Sequence, residues 1–191
     1  MEAQPVQAGQ RLAMILRTYQ VYFRKLAFEQ LPRIAEKYLG ELGFRIVAEA
    51  LAEATIAALP GLLEAVKGVV EPPTGDPLSL LEVHYQCHTA ARSIAGDQSI
   101  PLFHPRRESP NRVVLEADEC PFNASGLQLA AFAGIALGVL RAAGVEAYAV
   151  ASEDAKRYLP PGSYAVWSTR RGGKCIIAAE RLAGGEERED R

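Results

Sequence analysis

Val113-Val114-Leu115-Glu116-Ala117-Asp118-Glu119-Cys120-Pro121-Phe122, followed by the apolar run from Ser125 to Ala143, decides the fold of this chain. Val113, Val114 and Leu115 read as a strand, which stops at Glu119-Cys120-Pro121. Ser125 to Ala143 then reads as a helix built from small residues. Its longest apolar stretch, Leu127 to Leu140, is interrupted only by Gln128 and two glycines. At ~1.5 Å per residue it covers about 21 Å, short of the roughly 30 Å hydrocarbon core of a bilayer. It is therefore expected to be a buried helix and not a membrane span. Ala130, Gly134 and Gly138 recur at four-residue spacing, which lets another backbone approach closely. That neighbour is either the sheet beneath or a partner subunit, with the sheet the commoner arrangement.

Beyond this helix, Val145 to Ala151 alternates as a strand. After Pro160-Pro161-Gly162, Tyr164–Thr169 and Cys175–Glu180 form a hairpin closed by Arg170-Arg171-Gly172-Gly173. Upstream the chain reads as helical. Leu12, Ile15, Leu16, Tyr19, Phe23 and Leu26 recur at helical spacing, and further helices are expected over Pro32–Leu39 and Phe44–Ala58, the latter broken by Pro60-Gly61. Glu71-Pro72-Pro73-Thr74-Gly75 is a linker. Asp76-Pro77 caps a helix that runs to about Ala95 and stops at Gly96. From Asp97 to Asn111, with prolines at 101, 105 and 110, a long irregular loop is expected. The order of elements predicts an α+β fold: N-terminal helices packed with a small, mainly antiparallel sheet and one central small-residue helix. Residues 1–70 form a helical segment, 76–182 an α+β ligand-binding region within one compact domain, and 183–191 a solvated tail.

Composition narrows the function. Lys and Arg total 21 against 23 Asp and Glu, a net charge of −2, so no basic excess marks a nucleic-acid surface. A chain of 191 residues can bury a core without covalent staples. Three cysteines, an odd number, do not read as a disulfide framework, and with no signal peptide the expected location is the cytoplasm.

Three groups of residues could carry chemistry. On the helix after Asp76, Leu80, Leu81, His84, Cys87, His88 and Ala91 share one face. The i, i+3, i+4 spacing of His84, Cys87 and His88 directs a thiol and two imidazoles toward one point, as a zinc or other late transition-metal site requires. The same residues are equally compatible with an ordinary buried face, since cysteine packs as a small hydrophobe. Cys120, at a strand end facing a helix start, is a candidate nucleophile if a histidine lies within reach. Glu116, Asp118 and Glu119 oppose its ionisation, and a structural cysteine is the simpler reading. Phe132, Tyr148, Tyr164 and Trp167 could wall a pocket for an apolar or aromatic ligand. Trp167 is the strongest of these, because its N–H needs a partner when buried.

The succession of strand, Glu119-Cys120-Pro121-Phe122, helix with Ala133-Gly134-Ile135 and Gly138, then Gly172-Gly173-Lys174-Cys175-Ile176-Ile177 resembles the 4-vinyl reductase (hydrocarbon-binding) domain superfamily. Related patterns occur in L-2-amino-thiazoline-4-carboxylic acid hydrolase-like proteins. The resemblance covers residues 112 to 181. It implies an α+β domain that encloses a small, often apolar ligand and dimerises through its helices. Cys120 and Cys175 match the family's two recurring cysteines. The hydrolase-like pattern has a further cysteine after the central helix, where this chain has Val145-Glu146-Ala147-Tyr148.

These readings together predict a small-molecule-binding or sensor domain, acting as a homodimer, with Cys120, Cys175, His84, His88, Phe132 and Trp167 around the ligand. A thiol-dependent hydrolase of a small heterocyclic or amide substrate, with Cys120 as nucleophile, is the alternative. A metal protein using His84, Cys87 and His88 is a third.

Overall fold

A computed structural model describes residues 5–65, 67–68, 75–95, 102–117 and 119–184. Helix α1 (Pro5–Lys25) runs through a π-turn (Leu26–Gln30) into α2 (Leu31–Leu39). Gly40, at φ 55°, turns the chain into α3 (Glu41–Ala65). Helix α4 (Ser79–Ala95) leads to β1 (His104–Ser109) and β2 (Arg112–Ala117). Helix α5 (Ala130–Ala142), β3 (Ala147–Ala149), β4 (Tyr164–Arg171) and β5 (Lys174–Arg181) complete the fold. The five strands lie in the order β1-β2-β5-β4-β3. The fold is α+β, as the order of elements predicts.

Several boundaries differ from expectation for physical reasons. The loop expected over 97–111 contains β1, antiparallel to β2. Its sequence, HPRRES, carries no apolar alternation because it is an edge strand with solvent beside it. Pro105, opposite Leu115, is tolerated there because an edge offers one side without a ladder partner. Helix α3 passes through Pro60 and does not stop at it. Pro60 is exposed, so water can serve the carbonyl that loses its donor. Strand β3 pairs parallel with β4, so the sheet is mixed. Of the expected linker 71–75, residues 71–74 lie outside the described residues, as does the tail beyond 184.

Other local rules hold as the sequence states them. Strands β4 and β5 are joined by a two-residue turn, Gly172 and Gly173, with φ of 57° and 83°. Two consecutive positive φ values define the hairpin turn whose twist matches the strands. Asp76 Oδ1 accepts the Leu78 N–H at 3.1 Å, so it caps the turn from which α4 grows.

The core is built around α5, which has ten buried residues from Ala130 to Leu140. One face of the sheet, through Val113, Leu115, Val166 and Ile177, joins α5 in a single cluster that also includes Phe44, Val47, Ala48 and Ala52 of α3. The small-residue stripe of α5 packs against α3 and not against the sheet. A Cβ on Gly134 would lie 2.4 Å from the Ala48 carbonyl oxygen, and one on Gly138 2.7 Å from that of Ala52. Arg141 locks the crossing, with Nη1 and Nη2 at 2.5 and 3.0 Å from the carboxylate of Glu49. By length and composition α3 could cross a membrane. One face of it, through Phe44, Val47, Ala48 and Ala52, is buried in the core shared with α5, and the Glu49–Arg141 pair ties the two helices.

Candidate functional site

The segment after β2 is where the structure concentrates unusual backbone. Ala117 pairs with Cys175 across β2 and β5. Cys120 and Cys175 are joined by a disulfide, with 4.9 Å between their Cα atoms. This corrects the reading of all three cysteines as free thiols. An odd count leaves room for one pair, and 55 residues of separation hid it from the sequence. In this state Cys120 has no thiolate and cannot act as the nucleophile of the hydrolase alternative.

Two residues beyond Cys120, Phe122 and Asn123 both take left-handed backbone, with φ of 59° and 52°. Such conformations cost of order 1–3 kcal/mol each for residues other than glycine and persist only where the surroundings impose them. The surroundings here are explicit. The disulfide fixes one end of the segment. At the other end, Ser125 and Gln128 form a capping box: Ser125 Oγ accepts the Gln128 N–H at 3.3 Å, and Gln128 Oε1 accepts the Ser125 N–H at 3.4 Å. Glu36 of α2 then ties that box to the helical layer, accepting from Ser125 Oγ at 2.8 Å and Gln128 Nε2 at 2.5 Å. Ser168 Oγ of β4 donates to the Gly126 carbonyl at 2.8 Å.

This pinned segment walls a cavity of about 190 Å³. Phe122, Asn123 and Gln128 line one side, and Phe28, Glu29 and Arg33 the other. Phe28 and Glu29 belong to the π-turn between α1 and α2, a helical irregularity frequent at functional sites. Two phenyl rings, one guanidinium and one carboxylate therefore converge on one small space. Phe28 packs on Phe132 at 5.1 Å between ring centroids, and Phe132 on Phe103 at the same distance. Phe132 thus backs the cavity wall without lining the cavity itself. Residue-by-residue reading missed Phe28, Glu29, Arg33 and Glu36. The Ser125-x-x-Gln128 box was the one signal in the sequence that pointed here.

The remaining candidates are placed elsewhere. Trp167 lies on the opposite face of the sheet from Cys175 and Phe132, in a small cluster with Val114, Val150, Ala165 and Ala178. Arg112 and Lys156 cover its ring, at 5.0 and 5.3 Å from the centroid. Alternation along β4 explains the separation, since Val166 faces α5 and its neighbour Trp167 must face away. His84, Cys87 and His88 stand in α4, so their backbone has the helical register expected, but their side chains lie outside the described residues. Among the described residues no group of three potential ligands could hold a metal ion.

The charges over Trp167 form a network. Arg112 Nη1 lies 2.6 Å from Glu153 Oε1, and Lys156 Nζ lies 2.7 Å from Glu180 Oε2. The hydrogen bond from Arg112 holds the Glu153 carboxyl below its ordinary value of 4.5. A carboxyl lowered by folding stabilises the protein above its unfolded value, and that contribution is lost as pH falls through the folded one. Glu153→Gln should therefore lose stability at neutral pH and show a shallower decline in Tm below about pH 4.5, measured by thermal melts across acid pH.

No family model matches the chain, and no curated protein is significantly similar to it. Among solved structures, a Cs H-NOX carrying 4-cyano-L-phenylalanine aligns with TM-score 0.46 at 10% identity, over 73% of this chain and 65% of that one. A mutant H-NOX of T. Tengcongensis aligns with TM-score 0.43 at 11% identity, over 73% and 66%. A third H-NOX structure, concerned with heme distortion, aligns with TM-score 0.43 at 10% identity, over 78% and 66%. The chain thus spans about two thirds of the length of these structures.

Proposed function

We propose that this chain is a small-molecule-binding domain whose site is the cavity between the π-turn and the Phe122–Gln128 segment. One observation carries the reading. Two costly backbone features, the π-turn and the left-handed pair Phe122–Asn123, flank the same cavity. The accessible lining is mostly polar, with Glu29, Arg33, Asn123 and Gln128 around it and Phe28 and Phe122 beside them. It suits a small acid with a flat ring: Arg33 for the carboxylate and the two phenyl rings for the ring face. The resemblance to the 4-vinyl reductase superfamily likewise implies a small ligand. A metal at His84, Cys87 and His88 is a separate proposal, resting on their helical spacing alone.

Titration of the isotope-labelled protein with benzoate tests the site. Benzoate should shift the amide resonances of Glu29, Arg33, Asn123 and Gln128, and Arg33→Ala should weaken binding at least tenfold, the effect of losing one charge-assisted contact. Native mass spectrometry of freshly isolated protein would report any retained ligand. Absence of shifts in these residues for benzoate, together with no retained molecule, would refute the reading.

A further inference from the structure

The charges around the cavity are balanced and unpaired. Its ionised lining side chains are Glu29 and Arg33, one negative and one positive. They stand four residues apart, an order and spacing that ordinarily draw a helical glutamate and arginine into an ion pair. Here no ion pair joins them among the described residues, and no hydrogen bond from Arg33 is made there. The half-buried Glu29 carboxylate accepts one hydrogen bond at Oε1, from the adjacent Gln30 Nε2 at 2.9 Å. The π-turn accounts for the missing pair. The Leu31 N–H closes on the Leu26 carbonyl five residues back, so the turn holding Glu29 is wider than an α-turn and takes its side chain out of line with Arg33.

The opposite wall, Phe122, Asn123 and Gln128, carries no charge, and the Gln128 amide is already committed to Glu36 and to the Ser125 N–H. The lining as a whole is therefore neutral. A simple carboxylate seated on Arg33 also meets the Glu29 carboxylate one turn away and is repelled by it. A simple amine seated on Glu29 meets the guanidinium in the same way. A molecule that carries both charges close together satisfies both side chains and is favoured over either. The cavity, about 190 Å³, falls below the roughly 300 Å³ at which pockets for larger ligands begin, so one ring beside such a headgroup fills it.

Granting this cavity as the ligand site, we infer that its ligand is a zwitterion, an α-amino acid with one flat ring. The carboxylate lies on the Arg33 guanidinium and the ammonium on Glu29 Oε2, the oxygen that Gln30 leaves open. The ring lies between Phe28 and Phe122. The two charged groups of an α-amino acid sit on one carbon, which suits two side chains from neighbouring turns of the same wall. An aromatic amine with a carboxylate across the ring fits less well. Its nitrogen is uncharged at neutral pH and falls against the wall that carries no charge.

Three probes of one shape test the charge reading on the full isotope-labelled chain: phenylalanine, 3-phenylpropanoate, which lacks the amine, and phenethylamine, which lacks the carboxylate. Phenylalanine should bind at least tenfold more tightly than either, with shifts in the amide resonances of Glu29, Arg33, Asn123 and Gln128. Glu29→Gln should erase the advantage of phenylalanine over 3-phenylpropanoate and leave 3-phenylpropanoate bound as tightly as before or more so, because a repulsion is gone. Arg33→Ala should erase the advantage over phenethylamine instead. Equal affinities of the wild type for phenylalanine and 3-phenylpropanoate, with both shifting these four residues, would overturn the zwitterion and leave the site standing. An advantage of phenylalanine that survives Glu29→Gln would overturn it as well. Shifts from none of the three probes would remove the site and the zwitterion together.

Discussion

Gly134→Ala should lower the stability of the domain by about 3 kcal/mol or more, and Gly134→Val should prevent folding to the native core. A methyl on Gly134 would sit 2.4 Å from the Ala48 carbonyl oxygen, 2.8 Å from Leu51 Cβ and 2.9 Å from Ala48 Cα. Two of these three are backbone atoms, so no rotamer change relieves the clash. Helices α3 and α5 must separate, and every residue between them loses contact. Overpacking typically costs 1–3 kcal/mol where side chains can adjust, so a backbone clash belongs at or above the top of that range. Against a total of 5–15 kcal/mol for an ordinary domain, this is a large fraction. Gly138→Ala meets Thr55 Cβ at 2.6 Å and the Ala52 oxygen at 2.7 Å, and should behave in the same way. Gly9 and Gly61 serve as controls, since a Cβ on either meets nothing within 4 Å. Their alanine variants should be neutral or more stable by up to about 1 kcal/mol, the gain in helix propensity. Urea midpoints of the four variants separate a packing effect from a loss of glycine as such. Equal midpoints for Gly134→Ala and Gly61→Ala would contradict the close crossing.

The contrast between these glycines shows what the sequence could disclose. The four-residue spacing on α5 announced a close backbone neighbour, but nothing local said which. The sheet was the expected neighbour and α3 is the actual one, because the choice depends on contacts more than 80 residues apart in the chain. Strands β4 and β5 were legible for the opposite reason. Alternating side chains and the Gly172-Gly173 turn are local signals, and the register follows from them. The edge strand β1 was invisible because HPRRES is exposed on nearly every position and carries no period. The cavity was the least legible feature. Its residues are separated by about 90 positions, and Phe122 and Asn123 have no composition that forces left-handed backbone. Only the covalent and hydrogen-bonded ties at both ends of the segment impose it. The bond between Cys120 and Cys175 was illegible for a similar reason, since 55 residues separate them and an odd cysteine count gives no local sign of which two, if any, are joined.

That pair leads to the other large effect. Replacing both cysteines by alanine, or reducing the bond in solution, should cost about 4 kcal/mol of unfolding free energy. The estimate follows from closing a 55-residue loop in the unfolded chain, which removes entropy that the native state does not need to recover. Alanine is the appropriate replacement at Cys175, which is fully buried, because serine would add an unpaired hydroxyl there. The effect should not be uniform along the chain. Ala117 opposite Cys175 remains held by the β2–β5 ladder, so the sheet persists. The segment from Pro121 to Ala124 loses one of its two anchors, and the left-handed backbone at Phe122 and Asn123 is then opposed only by the Ser125–Gln128–Glu36 ties. Amide exchange should therefore quicken most between Cys120 and Ala124 on reduction, well before the exchange of β2 or β5 changes. Urea unfolding with and without dithiothreitol measures the global loss, and exchange at single residues locates it. A midpoint unmoved by reductant would mean that the two sulfurs lie beside each other in solution without being bonded.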